Sequence, residues 1–173
     1  IKAARIPIPA AMAVGAVQKR LVEKGLRCDA NIVVETASVR DSHHYAVLLG
    51  LGATAIYPFL AYEAIEQMCE SGQLEISPME AIVNYRKGIN KGLYKIMSKM
   101  GISTIASYRG AQLFEAIGLS DEVVDLCFKG VTSRIQGSKF AHFEEDQAAL
   151  AKTAFIARKP ITDGGLLKYK FGG

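Results

Sequence analysis

The stretch from Gly88 to Leu119, GINKGLYKIMSKMGISTIASYRGAQLFEAIGL, taken with the helix start before it, constrains the fold more than any other part of the chain. Ser77-Pro78-Met79-Glu80 has the form of a capping box, with proline in the first turn, where its missing N–H leaves no bond unmade. Apolar residues then recur at Ile82, Tyr85, Ile89, Leu93, Ile96 and Met100, and these steps of three and four draw one stripe on a helix. Lys87, Lys91, Lys95 and Lys99 climb a different face. Gly88 and Gly92 sit at the margin of the apolar stripe, and each costs about 1 kcal/mol against Ala inside a helix. The expectation is that a neighbouring element packs closely on both. Gly101 stops the helix, Ile102–Ala106 reads as a short strand, and Gly110–Ala116 reads as a second, short helix closed by Gly118.

Upstream, Pro7 and Pro9 precede a helical pattern with Ala10, Val14, Val17 and Leu21 on one face, and Gly25 closes it. Asn31–Glu35 is a β-branched run, the pattern of a strand buried on both faces. A polar loop follows, Asp41 or Ser42 caps a short helix from His43 to Leu49, and Gly50-Leu51-Gly52 breaks it. Ala53–Phe59 reads as a second strand and Leu60–Ser71 as another helix. This alternation predicts an α/β fold of helices and parallel strands, a partial TIM-barrel-like architecture with a long central helix. Further on, Ser120 caps a helix through Phe128, Ser133–Gly137 reads as a loop, and Glu144, Glu145 and Asp146 crowd the first turn of a last helix. Pro160 follows that helix, and Asp163-Gly164 is a hairpin signal.

At 173 residues the chain is about one domain long. Half of its residues are apolar, enough to bury roughly 70% of the unfolded surface. The net charge of +4 comes from dispersed Lys and Arg without basic–aromatic patterning, which argues against a nucleic-acid partner. No apolar run approaches the ~20 residues that cross a bilayer, and no secretory signal is visible, so no membrane role is expected. Cys28, Cys69 and Cys127, odd in number and far apart, fit buried, reduced thiols of a cytoplasmic chain better than a disulfide or metal framework.

Glu35, Arg40, Asp41, His43 and His44 gather just past the end of the first strand, where sites form in α/β folds. A Glu beside a His could do acid–base work if a third group oriented the imidazole. The favoured alternative is structural: Arg40 pairs with Glu35 as a strut, and Asp41 and the histidines form the helix entry. Adjacent histidines at a helix start lie about 100° apart and so rarely share a metal. The loop TASVRDSH holds no glycine and makes no phosphate cradle. Ser103, Tyr108, Arg109 and Gln112, polar residues past an expected strand, are candidates to border a pocket. The lysine row reads as a solvated face or as a surface for an acidic partner.

Lys95 to Leu119, KIMSKMGISTIASYRGAQLFEAIGL, closely resembles the hallmark of the large (synthase) subunit of glutamate synthase, where its central domain hands over to its flavin-binding barrel. The likeness extends from ARIPIP to LLKYKFGG, with SRIQG resembling a run near the barrel entry. It implies that residues 1–100 are the C-terminal part of the central domain and 101–173 the start of the FMN-binding domain. It also implies a piece cut from a longer chain, since the sequence starts at Ile1 and stops at FGG. The resemblance implies a parent oxidoreductase that makes glutamate from glutamine-derived ammonia and 2-oxoglutarate, with FMN and an iron–sulfur cluster, and with an NADPH-oxidising subunit or ferredoxin as partner. The family's nucleophilic cysteine, cluster cysteines and flavin stretches have no counterpart here, so no catalytic, cofactor or metal residue is assigned in the fragment. Its partners are then the other domains of the same subunit. Gly50-Leu51-Gly52 departs from an expected Gly-Tyr-Gly. Two other readings are a non-catalytic scaffold and a small α/β domain with its own ligand at the Glu35–His44 cluster.

Overall fold

A computed structural model describes residues 6–154 of the chain. Pro160 and the Asp163-Gly164 hairpin signal lie outside the described residues. Helix α1 (Ala10–Glu23) follows the two prolines and ends at Gly25, whose φ of 68° only glycine adopts readily. Strand β1 (Val33–Glu35), helix α2 (Ser42–Gly50) and strand β2 (Ala55–Tyr57) form a β-α-β unit, with β1 and β2 parallel and Val34 opposite Ile56. Helix α3 (Phe59–Glu70) leads into α4 (Pro78–Lys99), 22 residues long. Ser77 accepts the Glu80 amide at 3.2 Å, the cap the sequence predicts, and Gly101 stops α4 with a φ of 70°.

Helix α2 is the hub. Leu48 joins Val14, Ile32, Val34, Val39 and Ala53 in one core cluster, while Ala46 and Leu49 join Ile89, Leu93, Met97 and Tyr108 in another. One short helix is thus sandwiched between the β1–β2 sheet and α4. The predicted stripe of α4 holds at Ile89 and Leu93, but Met100 lies outside it, 44% exposed, and Met97 is buried in its place. The 3.6-residue period drifts against a strict three-four rhythm, which explains the swap. β1 is buried on one face, not two: Val33 is 68% exposed and Val34 only 7%.

The second half departs further from expectation. Residues 102–104 are not a strand; Thr104 caps a single helical turn, α5 (Ile105–Tyr108), through the Ser107 amide. The expected helix over 110–116 does not form. Gly110 and Gln112 both take left-handed φ, 71° and 53°, and turn the chain into strand β3 (Glu115–Leu119). Helix α6 (Asp121–Cys127) connects β3 to β4 (Thr132–Ser138), so the expected loop at 133–137 is a strand. β3 and β4 are parallel, with irregular register around Ile117. They approach so closely at Gly118 and Gly137 that a Cβ on Gly137 would overlap the Gly118 backbone. Helix α7 (Phe140–Ala154) starts earlier than predicted, which moves Glu144, Glu145 and Asp146 out of its first turn. The described strands form two separate two-stranded parallel sheets in an α/β arrangement, and no barrel closes among them. α1 ties the halves together: Met12 packs with Val123 and Cys127, and a Cβ on Gly15 would overlap the Cys127 carbonyl. No described helix is long and apolar enough to cross a membrane.

Candidate functional site

The C-terminal mouth of the β1–β2 sheet gathers much of what the sequence singles out. The Asp41 side chain caps α2, with Oδ1 accepting the His43 amide at 2.9 Å and the His44 amide at 3.1 Å. The His44 amide above all, helped by the His44 imidazole, the His43 amide and the His43 imidazole, holds the Asp41 carboxyl below its ordinary value against the opposing effect of desolvation. His44 Nδ1 accepts the Arg40 amide at 3.3 Å and lies 3.6 Å from Asp41 Oδ1. Both histidines border a cleft of about 570 Å³ with Thr36, Ser38, Pro9 and Leu48.

The expected strut is absent. Glu35 and Arg40 are both exposed, and no ion pair joins them among the described residues. Water solvates each charge, so nothing forces a partner on either. What braces the mouth instead is tyrosine. Tyr85 of α4 donates its hydroxyl to the Arg40 carbonyl at 2.9 Å, and Tyr45 of α2 hydrogen-bonds Tyr85. Tyr62 stands edge-on to both Tyr85 and Tyr57, with ring centroids 6.0 and 5.6 Å apart. Burial pushes the Tyr45 phenol well above its usual range, the Tyr85 hydrogen bond adding to it, and raises Tyr62 as well. In the sequence only Tyr85 stands out among them, as a member of the α4 apolar stripe. A tyrosine at the end of β2, and others at the matching height of three helices, was the available signal.

The second candidate group divides. Ser103 is exposed. Tyr108 is a core residue at 1% exposure, its hydroxyl without a hydrogen-bond partner among the described residues. Arg109 lies at the opposite, N-terminal foot of the sheet, 3.5 Å from the Thr54 hydroxyl, on a cleft of about 420 Å³. Gln112 borders a further cleft of about 340 Å³ with Gly15, Gly50 and Cys127. The foot holds a lock the sequence did not reveal. Arg27 donates to the Ala30 carbonyl at 2.7 Å, to the Gly52 carbonyl at 2.9 Å and to the Gln18 side chain. A Cβ on Gly52, where φ is 118°, would run into Gln18. Cys127 is buried and its thiol pushed up by that burial, against the pull of Lys19, whereas Cys28 is exposed, contrary to expectation. Among the described residues no group of His, Cys, Asp and Glu could hold a metal ion.

Fold and site define a helix-braced β-α-β unit whose polar groups cap and pin neighbouring backbone. The chain belongs to the glutamate synthase central domain family, which matches residues 1–120. It is similar to the glutamate synthase [NADPH] large chain of Bacillus subtilis, with 42% identity over 96% of this chain and 11% of that protein. It is similar also to the ferredoxin-dependent glutamate synthase of Pyropia yezoensis, 41% identical over 98% of this chain and 12% of the relative. The glutamate synthase [NADH] of Schizosaccharomyces pombe is 40% identical over the whole chain and 8% of its own length. The chain therefore spans about a tenth of the length of these relatives.

Proposed function

We propose that this chain is a scaffold segment of the large subunit of a glutamate synthase, the oxidoreductase that makes glutamate from glutamine-derived ammonia and 2-oxoglutarate. On this reading residues 1–100 close the central domain and 101–173 lead into the FMN-binding domain. The end of α4 at left-handed Gly101, with a separate sheet beyond it, supports that division, although the family match runs on to residue 120. FMN, the iron–sulfur cluster and the contact with ferredoxin or an NADPH-oxidising subunit belong to other parts of the cytoplasmic parent. Glu35, Arg40, His43 and His44, with Ser103, Tyr108, Arg109 and Gln112, then serve geometry and not chemistry.

One observation carries the scaffold reading over a domain with its own ligand: the mouth's hydrogen bonds are spent on the chain's own backbone, with Tyr85 on the Arg40 carbonyl and Asp41 on two amides of α2. Asp41 and His44 bind amides within four residues in sequence, and Glu35 is exposed with no ion-pair partner among the described residues. The purified chain is expected to take up no FMN in a fluorescence titration and to form no glutamate from glutamine, 2-oxoglutarate and a reductant. Stoichiometric flavin binding, or turnover abolished by Glu35→Gln, would overturn this function.

A further inference from the structure

Two glycines four residues apart on α4 have different surroundings. Gly92 abuts the N-terminus of α2, where an added Cβ would collide with the Ser42 side chain, so its packing reason lies within the chain. Gly88 has nothing within 4 Å of an added Cβ, and the expectation that it is packed against an element of this chain does not hold. An open glycine in a helix interior still costs about 1 kcal/mol relative to alanine. Beside it run Lys87, Lys91, Lys95 and Lys99, all exposed and covering about 18 Å of helix. Neighbours in this row repel one another at four-residue spacing. None of them joins an ion pair among the described residues, and the adjacent carboxylates Glu63, Glu66 and Glu70 of α3 do not reach them. The only acid of α4, Glu80, sits in its first turn, away from the row.

Both features are unfavourable in the chain alone, and one occupant would account for both. We infer that this face of α4 docks against a carboxylate-rich protein surface elsewhere in a longer glutamate synthase polypeptide, with Gly88 as the point of closest approach. This inference rests on the chain being a segment of the large subunit. Carboxylates answer the lysine charges. The bare backbone at Gly88 admits a side chain or main chain that a Cβ would hold off. The relatives, of which this chain spans 8 to 12%, supply ample other surface.

The test places this chain in the Bacillus subtilis large chain in exchange for the matching segment. Lysine acetylation at Lys87, Lys91, Lys95 and Lys99 is then read by mass spectrometry there and in the 173-residue chain alone. Docking is expected to slow acetylation about fivefold at low salt, the factor that a surface ion pair of ~1 kcal/mol corresponds to. The protection should shrink at high salt and disappear in Gly88→Leu, which leaves the fold intact because the site is open. Equal reactivity in both settings overturns the inference. So does protection that Gly88→Leu leaves unchanged, and so does protection in the chain alone that grows with its concentration, which would identify a second copy. Glutamate formation by the chimaera is read separately. Loss of synthesis with protected lysines sinks the functional reading and leaves the docking surface, while synthesis with unprotected lysines does the reverse.

Discussion

The two ends of the β1–β2 sheet hold their backbone by different means. At the mouth, the Asp41 cap closes rings of three or four residues in exposed surroundings, and one longer-range bond, from the Tyr85 hydroxyl to the Arg40 carbonyl, adds to it. At the foot, Arg27 ties Gln18 of α1, the turn at Ala30 and the turn at Gly52 into one knot, reaching partners up to 25 residues away in sequence. Local bonds restore structure that the neighbouring chain nearly adopts by itself. Long-range bonds fix an arrangement that nothing local encodes, and each lost donor leaves partly buried carbonyls unmet. Stability is therefore expected to concentrate at the foot and tolerance at the mouth.

Substitutions can break that contrast, and the foot should give the largest effect. Gly52→Ala adds a Cβ both at a left-handed φ of 118° and into the Gln18 side chain, and should cost about 3 kcal/mol in chemical denaturation. A loss under ~1 kcal/mol would show that Gln18 moves aside and that the knot is loose. Arg27→Ala should follow at about 2 kcal/mol, with no rescue by lysine, whose single ammonium cannot fork to two carbonyls. Full rescue by Arg27→Lys would reduce the knot to a charge effect.

At the mouth, Asp41→Ala should cost about 1 kcal/mol as the loss of a helix cap. Its pH dependence has a fixed sign. Because the folded-state pKa is depressed, the Asp41 contribution is present above its unfolded pKa and fades as pH falls through the lower folded value. Stability curves of wild type and Asp41→Ala should converge on acidification; divergence would contradict the cap. Smallest of all, Glu35→Gln and Arg40→Ala should each stay within about 0.5 kcal/mol of wild type, as expected for exposed side chains that join no ion pair among the described residues. A penalty of several kcal/mol for either would restore the strut that the geometry lacks.

How much of this was legible in the sequence depended on whether an element carries its own signal. α4 did: a Ser-Pro-x-Glu start, a sustained apolar stripe and a glycine stop agree over many turns. β1 and β2 were placed correctly, but their burial was not, because a β-branched run looks alike whether one face or two are covered. Residues 102–138 misled because short elements offer too few periods. GAQLFEA has helical composition, yet Gln112 in the left-handed region breaks it, and no residue type announces that choice. SRIQG reads as a loop but pairs with β3, since a strand of this kind is defined by its partner. The Asp41 cap was readable from position alone. The Arg27 knot was not, because its partners lie 9 and 25 residues away.

The tyrosine cluster at the mouth has an optical consequence. The chain contains seven tyrosines and no tryptophan, so its near-ultraviolet absorption and emission are dominated by phenol rings. Four of those rings, Tyr45, Tyr57, Tyr62 and Tyr85, share one patch joining β2, α2, α3 and α4, with centroid spacings short enough for excitation to pass between them. Together with buried Tyr108 in the core, this patch supplies the ordered phenol rings from which near-ultraviolet circular dichroism arises. An alkaline titration followed by phenolate absorbance would ionise Tyr45 late, after the patch has opened. The molecule carries a built-in spectroscopic label on one end of one sheet, and the opening of that end can be followed without attaching a dye.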